Sequence, residues 1–229
     1  MSTQARIIVL QMKFPSLKRS KPAAKPSAAE TATSAPISNF RKQTTEAASL
    51  ILLLVGVILV TILIKSYLVQ PYIVDGQSME PTLSDHDRLL VDKLPRTFGR
   101  IDGRAYIPKR GDIIIFNQSN LPGYTGSKQL IKRVIGLPGD QIVIKDDTLS
   151  IYNQADPKGF DPDFTLNYHP STTSVMGSTD TLLGSNQVFV LGDNRNNSED
   201  SRYFGAVNLN QIVGKLSFRI FPISKAQHF

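Results

Sequence analysis

The chain of 229 residues contains no cysteine. That absence removes disulfides, thiolate metal sites and a cysteine nucleophile together, but it leaves the compartment open, because an exported domain can manage without disulfides. Histidine is nearly as scarce: His86, His169 and His228 are scattered, with no i, i+4 pair of the kind that places two ligands on one helical face. No internal repeat is visible, and beyond residue 67 no long 3.6-residue apolar period occurs. Acidic residues are few at one end only. Residues 1–46 carry eight Lys and Arg against Glu30 and Glu46, so +6 of the formal charge of +7 belongs to that tail and about +1 to the remainder. A nucleic-acid partner for the folded part therefore has little support.

What is present begins with "AASLILLLVGVILVTILI", residues 47–64, eighteen residues without a charge. That length reaches the lower end of a membrane span. A core helix is the plain alternative. A cleaved signal peptide fits poorly, because the run is long, starts deep in the chain and is followed by Lys65, Ser66 and Tyr67 rather than a small-x-small site. We assign residues 47–67 to a transmembrane helix and residues 1–46, rich in Ala, Ser, Thr, Pro and Lys, to a disordered basic tail. The tail also has the composition of an organelle transit peptide. With the basic residues ahead of the span, the positive-inside rule leaves the tail cytoplasmic and exports residues 68–229.

After the span, short apolar runs are broken by Gly, Pro, Asp and Asn: "YLVQPYIV", "RLLVDKL", "GDIIIF", "QLIKRVIGL", "DQIVIKDDTLSIY", "QVFVLGD" and "QIVGKLSFRIFPI". These predict strands of an all-β domain, sandwich or barrel. A hairpin is expected at Asp146-Asp147. The polar stretch 153–185 reads as a long excursion, so residues 146–185 are expected to form an inserted subdomain.

Three stretches carry chemistry. In "DGQSMEPTL" (75–83), Ser78 follows Gly76 directly after an apolar strand and precedes Pro81, which puts a serine on a rigid turn with backbone N–H groups nearby. Serines in such turns are common, and alone this one proves nothing. In "LIKRVIG" (130–136), alternation puts Lys132 on a face with Leu130 and Val134, and Arg133 on the other with Ile131 and Ile135. A lysine activates a serine only when neutral, and its ordinary pKa leaves roughly one in two thousand unprotonated at pH 7. Burial between apolar neighbours lowers that pKa. The bland alternative is an edge-strand lysine whose head reaches water. The third stretch, "LGDNRNNSEDSRYFGAV" (191–207), is a dense polar turn after a strand. A calcium loop is disfavoured because Arg195 and Ser198 stand where an oxygen ligand and a glycine are needed. A solvated loop and a scaffold that orients other side chains both remain open.

Taken together, "SMEPTL", "DRLLVDKL", "RGDIIIF", "IKRVIGLPGD" and "GDNRNNSEDSRYFGAV" resemble, in order, the motifs of the bacterial type I signal peptidases, leader peptidases of the serine–lysine class. The resemblance covers roughly residues 66–145 and 186–222. It implies a mainly β fold of the signal-peptidase and repressor-protease kind, with Ser78 as nucleophile and Lys132 as general base. It further implies that the Gly192-Asp193 turn places Ser198 to orient the Lys132 amine, and that Asp200 pairs with Arg133 and Arg202. The Ser78 backbone N–H would be one oxyanion donor. Where some members have a serine two positions before the nucleophile, this chain has Gly76, which leaves the second donor open. His86, in the polar turn "SDHDR", is the rival base. The implied partners are preprotein signal peptides with small residues at −1 and −3 and the lipid bilayer, with no nucleic acid, no metal and no cofactor. The implied location is the plasma membrane, with an internal photosynthetic (thylakoid) membrane as the alternative. Two rival functions are a self-cleaving repressor-type protein, which would be soluble and DNA-binding, and an anchored β domain without catalysis.

Overall fold

The computed structural model describes residues 6–9, 37–64, 68–101, 103, 105–119, 121, 125–166 and 168–229. Six of the seven apolar runs contain one strand each, and "DQIVIKDDTLSIY" contains two. In chain order the strands are β1 (Arg6–Val9), β2 (Val69–Asp75), β3 (Arg88–Asp92), β4 (Ile113–Ser119), β5 (Ser127–Gly136), β6 (Gln141–Lys145), β7 (Thr148–Tyr152), β8 (Thr179–Leu182), β9 (Gln187–Leu191), β10 (Val207–Asn208), β11 (Ile212–Phe221) and β12 (Gln227–His228). The helices are α1 (Ile37–Leu63), α2 (Leu94–Ile101), α3 (Pro162–Thr165) and α4 (Ser201–Phe204). One unit holds β1 and everything from β2 onward, and α1 lies in a second.

The main sheet runs β1-β2-β3-β11-β4-β5-β9-β10, with β12 on β11, and β1 also meets β5. Every recorded pairing is antiparallel. Residues 113–116 of β4 and 130–136 of β5 are buried on both faces; β4 has the unbroken apolar run this calls for, while β5 carries Lys132 and Arg133 inside its own. On one side Tyr72, Val74, Met79, Leu89, Ile131 and Leu216 pack together, and on another Ile114, Phe116, Leu130, Val134, Val190 and Ile212 do.

The second sheet, β7-β6-β8, begins five residues after the end of β5. Lys145 and Thr148 are partners across the Asp146-Asp147 turn. Both aspartates have positive φ, 50° and 57°, the geometry that two-residue hairpins favour. The excursion was expected to start after β6, but β6 is itself the centre of the small sheet. Its Ile142 and Ile144 pack with Leu149, Ile151, Val175 and Leu183.

Two expectations for the N-terminal region are corrected, and one helix was missed. The helix begins at Ile37, ten residues before the apolar run, where Gln, Glu and Ala favour continuation. Residues 6–9 of the expected disordered tail form β1; the rest of 1–36, and 65–67 of the expected span, lie outside the described residues. Helix α2 was not foreseen, because eight residues are too few to establish a period. Among the described residues no helix is long and apolar enough to cross a membrane. The uncharged stretch of α1 nevertheless leaves its large side chains from Leu50 to Leu63 between 46% and 74% exposed.

Candidate active site

The site is built where β2 ends. The chain leaves Asp75 through Gly76, whose φ of 109° an L side chain rarely adopts, and the Gly76 N–H donates to Asp85 Oδ1 at 2.8 Å. A tight turn follows, closed by the Glu80 N–H on Gln77 O (3.1 Å) and the Leu83 N–H on Met79 O (2.9 Å). Met79 and Leu83 are fully buried, so the turn is anchored from below by the core. Ser78 stands on that turn with its own surface fully covered.

Lys132 reaches the same point from β5. It pairs with Ile114 of β4 in register, is 1% exposed, and its Nζ lies 2.6 Å from Ser78 Oγ. Residues 54 positions apart are thus joined by one buried hydrogen bond. Burial pushes the Lys132 ammonium down from 10.5 to about 8. The carboxylate of Asp200 opposes that shift most strongly, followed by Glu199 and Asp193, while Lys128 reinforces it. In its neutral form the amine can accept the Ser78 proton, and this is the chemistry that the apolar neighbours make possible.

The polar turn after β9 wraps the Ser78 turn. The Asn194 N–H donates to Ser78 O at 3.0 Å and its side-chain amide to Gln77 O at 3.1 Å. Gly192 is packed so closely that a Cβ there would lie 2.2 Å from Ser198 Oγ and 2.5 Å from Ser78 O. Its N–H donates to Asp200 Oδ2 at 3.0 Å. Asp200 caps α4 and takes both Nε and Nη2 of Arg202 at 2.8 Å.

Two expected contacts differ. Arg133 pairs with Asp193, not Asp200, through Nε–Oδ1 at 2.8 Å and Nη2–Oδ2 at 2.5 Å. The reason is the alternation of β5: Arg133 leaves the face opposite Lys132, opposite Leu191 of β9, and meets the residue two places further on. Asp200 lies instead toward Gly192 and Lys132. Ser198 is buried beside Gly192, but its Oγ has no hydrogen-bond partner among the described residues. His86 is exposed with φ 65°, and its Nδ1 meets Asp85 at 2.9 Å. Nothing brings it to Ser78. Among the described residues no His, Asp and Glu side chains gather as a metal site would need.

Sequence reasoning assigned no part to Asn194, Asp85 or Asp163. Asn194 stood in a motif already singled out, next to Gly192-Asp193. The others act across 9 and 32 residues, and no local pattern signals such pairings.

A slot completes the geometry. β1 pairs antiparallel with β2 (Arg6 opposite Asp75) and with β5 (Arg6 opposite Leu130). β2 and β5 therefore run in the same direction on either side of β1, and both run toward Ser78 and Lys132. Their facing edges bound a space one strand wide.

The family described as "Signal peptidase, peptidase S26" matches residues 47–221. "Signal peptidase I P" of Bacillus subtilis subsp. natto is 35% identical over 178 residues, which are 77% of this chain and 89% of that protein. "Signal peptidase I" of Bacillus caldolyticus is 38% identical over 175 residues, 71% of this chain and 85% of that one. A crystal structure of a signal peptidase I from Enterococcus faecalis V583 shares 31% identity, covers 48% of this chain and 97% of its own, and superposes with a TM-score of 0.34.

Proposed function

Because the chain belongs to the signal peptidase family, peptidase S26, and is by that membership a protease acting on the signal peptides of preproteins, we propose that it does so as a membrane-anchored serine endopeptidase with Ser78 as nucleophile and Lys132 as base. The observation that carries this reading is the buried 2.6 Å contact between Lys132 Nζ and Ser78 Oγ.

Neutral Lys132 takes the Ser78 proton as Oγ attacks the scissile carbonyl carbon. The ammonium then gives that proton to the leaving nitrogen, the C–N bond breaks, and the signal peptide remains as an ester on Ser78. A water, deprotonated by Lys132, attacks the ester and restores the serine. The Ser78 N–H supports the oxyanion. Gly76 does not supply the second donor, since its N–H is held by Asp85. Ser198, with an unpartnered buried hydroxyl, turns toward the amine as Lys132 sheds its proton.

The substrate, with small residues at −1 and −3, lies as an added strand between β2 and β5, running parallel to both so that its scissile carbonyl arrives at Ser78. β1 supports the competence of both edges to pair, though with opposite polarity. The exposed apolar surface of α1 is covered by lipid. Although no helix among the described residues is by itself long and apolar enough to cross, the uncharged run 47–64 would extend roughly 27 Å at about 1.5 Å per residue, at the lower end of what a bilayer core of about 30 Å needs. The positive tail stays cytoplasmic, and the catalytic unit lies on the exported face of the plasma membrane or of an internal photosynthetic one. Once α1 is inserted, β1 and the slot are on opposite faces and the slot is open.

The test is processing of a preprotein by the detergent-solubilised full chain. The wild type should release the signal peptide and Ser78→Ala should release none. Near-normal turnover by Ser78→Ala would refute the assignment.

A further inference from the structure

The excursion between β7 and β9 takes no part in the chemistry just described, yet it is tied to the catalytic loop at several points. Asp163, at the start of α3, forms a buried two-pronged ion pair with Arg195, through Nη1 and through Nη2, the latter at 2.6 Å from Oδ1. Arg195 Nη2 also donates to the Tyr168 hydroxyl at 2.8 Å, and that hydroxyl donates to Asp163 Oδ1. The Ser171 N–H donates to Asp193 O at 2.8 Å, and Ser171 Oγ accepts from the Arg195 N–H at 3.2 Å. Arg195 in turn holds Gly192 O through Nε at 3.2 Å. The same loop grips Ser78 and Gln77 through Asn194. Finally, the Tyr168 ring lies under the guanidinium of Arg133, 4.2 Å from its centroid, beside Lys132 in β5.

Arg195 is 1% exposed and Asp163 8%. Burying such a pair costs several kcal/mol of hydration that the attraction only partly returns, so it is a poor way to gain stability and an effective way to fix geometry. Tyr168 is suited to the role because it touches both arginines that flank the dyad, Arg195 in the loop and Arg133 in the base strand.

We propose that Asp163, Tyr168 and Ser171 are positioning residues for peptide-bond cleavage, which hold residues 192–195 so that the loop presses the Ser78 turn against Lys132. The proposal rests on the Ser78–Lys132 reading, and the experiment separates the two. The full chain in detergent is compared with Tyr168→Phe, Ser171→Ala, the double variant, and Asp163→Asn. Competent sites are counted with a serine-directed acylating probe located by mass spectrometry. Then kcat and KM per titrated site are measured on a short Ala-x-Ala peptide across pH.

In the double variant kcat per site should fall tenfold or more with KM within twofold. The acid limb of kcat/KM should also move to higher pH, because a loosened turn lets water reach Lys132. The charges around that amine (Asp200, Glu199, Asp193 and Lys128) are unchanged in all variants, so the displacement reports hydration. Tyr168→Phe alone should show the same change to a smaller degree, which keeps the test usable if Asp163→Asn fails to fold. If the variants only lose titratable sites, with kcat per site and pH profile as in the wild type, the excursion is structural and the proposal is overturned. Failure of the wild type to be labelled at Ser78 would instead overturn the dyad reading beneath it.

Discussion

Replacing Lys132 by methionine should abolish activity and yet make the protein more stable at neutral pH. Burial lowers the Lys132 pKa from 10.5 to about 8. Below pH 8 the folded protein therefore holds an ammonium in a place that disfavours it, a cost of about 3 kcal/mol at about 1.4 kcal/mol per pH unit. Methionine fills a similar volume without charge. It also gives up the hydrogen bond to Ser78, worth about 1 kcal/mol, so the variant should gain about 2 kcal/mol at pH 7. The pH dependence follows from the sign of the shift. Between 8 and 10.5 the unfolded lysine keeps its proton while the folded one has released it, so wild-type stability rises through that window. The methionine variant lacks this rise, and its advantage should vanish near pH 10. Urea unfolding of both proteins in the same detergent at pH 7 and pH 10, followed by circular dichroism, measures the difference directly, and other titrating groups cancel in the comparison. A variant less stable than wild type at pH 7, or a difference independent of pH, would refute the argument.

Gly192→Ala places a methyl 2.2 Å from Ser198 Oγ and 2.5 Å from Ser78 O. It should cost about 1–3 kcal/mol of stability, seen as a lower unfolding midpoint, and reduce kcat on a short peptide at least tenfold by displacing the Ser78 turn. Deleting residues 1–10 should raise kcat/KM in detergent, where β1 competes for the slot between β2 and β5. In proteoliposomes, with the tail across the bilayer, the same deletion should change nothing. Equal behaviour in both settings would argue against the topology. Arg133→Lys should lower activity although the charge is kept, because an ammonium cannot reproduce the two-pronged grip on Asp193. Full activity in this variant would make that pairing dispensable.

The sequence carried the strands well because the main-chain pattern is simple: β-branched runs such as "GDIIIF" between Gly, Pro and Asp turns have few other ways to fold. The proximity of Ser78 and Lys132 was legible for a different reason. A lysine between Leu130 and Val134 is an anomaly, but an edge-strand lysine explains it as well, and only "SMEPTL", "IKRVIGLPGD" and "GDNRNNSEDSRYFGAV" taken together, through their family resemblance, singled out Ser78 and Lys132. The choice among carboxylates was not legible. Asp193 and Asp200 stand seven residues apart in one polar turn, and only the path of the chain after β9 decides which of them meets Arg133. The role of the excursion was equally hidden, since Asp163 and Arg195 are 32 residues apart and each is an ordinary polar residue in its own neighbourhood. β1 escaped notice because four residues in a basic tail make no pattern; it becomes a strand only through the edges of β2 and β5.

The central claim is that Ser78 is activated by a neutral Lys132, and the rate of Ser78 acylation as a function of pH tests it most directly. A serine-directed acylating probe should modify Ser78 alone, as located by peptide mass spectrometry, with a rate that rises to a plateau through an apparent pKa of about 8. Lys132→Arg, which keeps a cation that cannot deprotonate, should not be labelled at any pH in that range. Modification of Ser78 in Lys132→Arg at the wild-type rate, or a wild-type profile with its midpoint at the ordinary histidine value near 6.5, would contradict the assignment of Lys132 and return attention to His86.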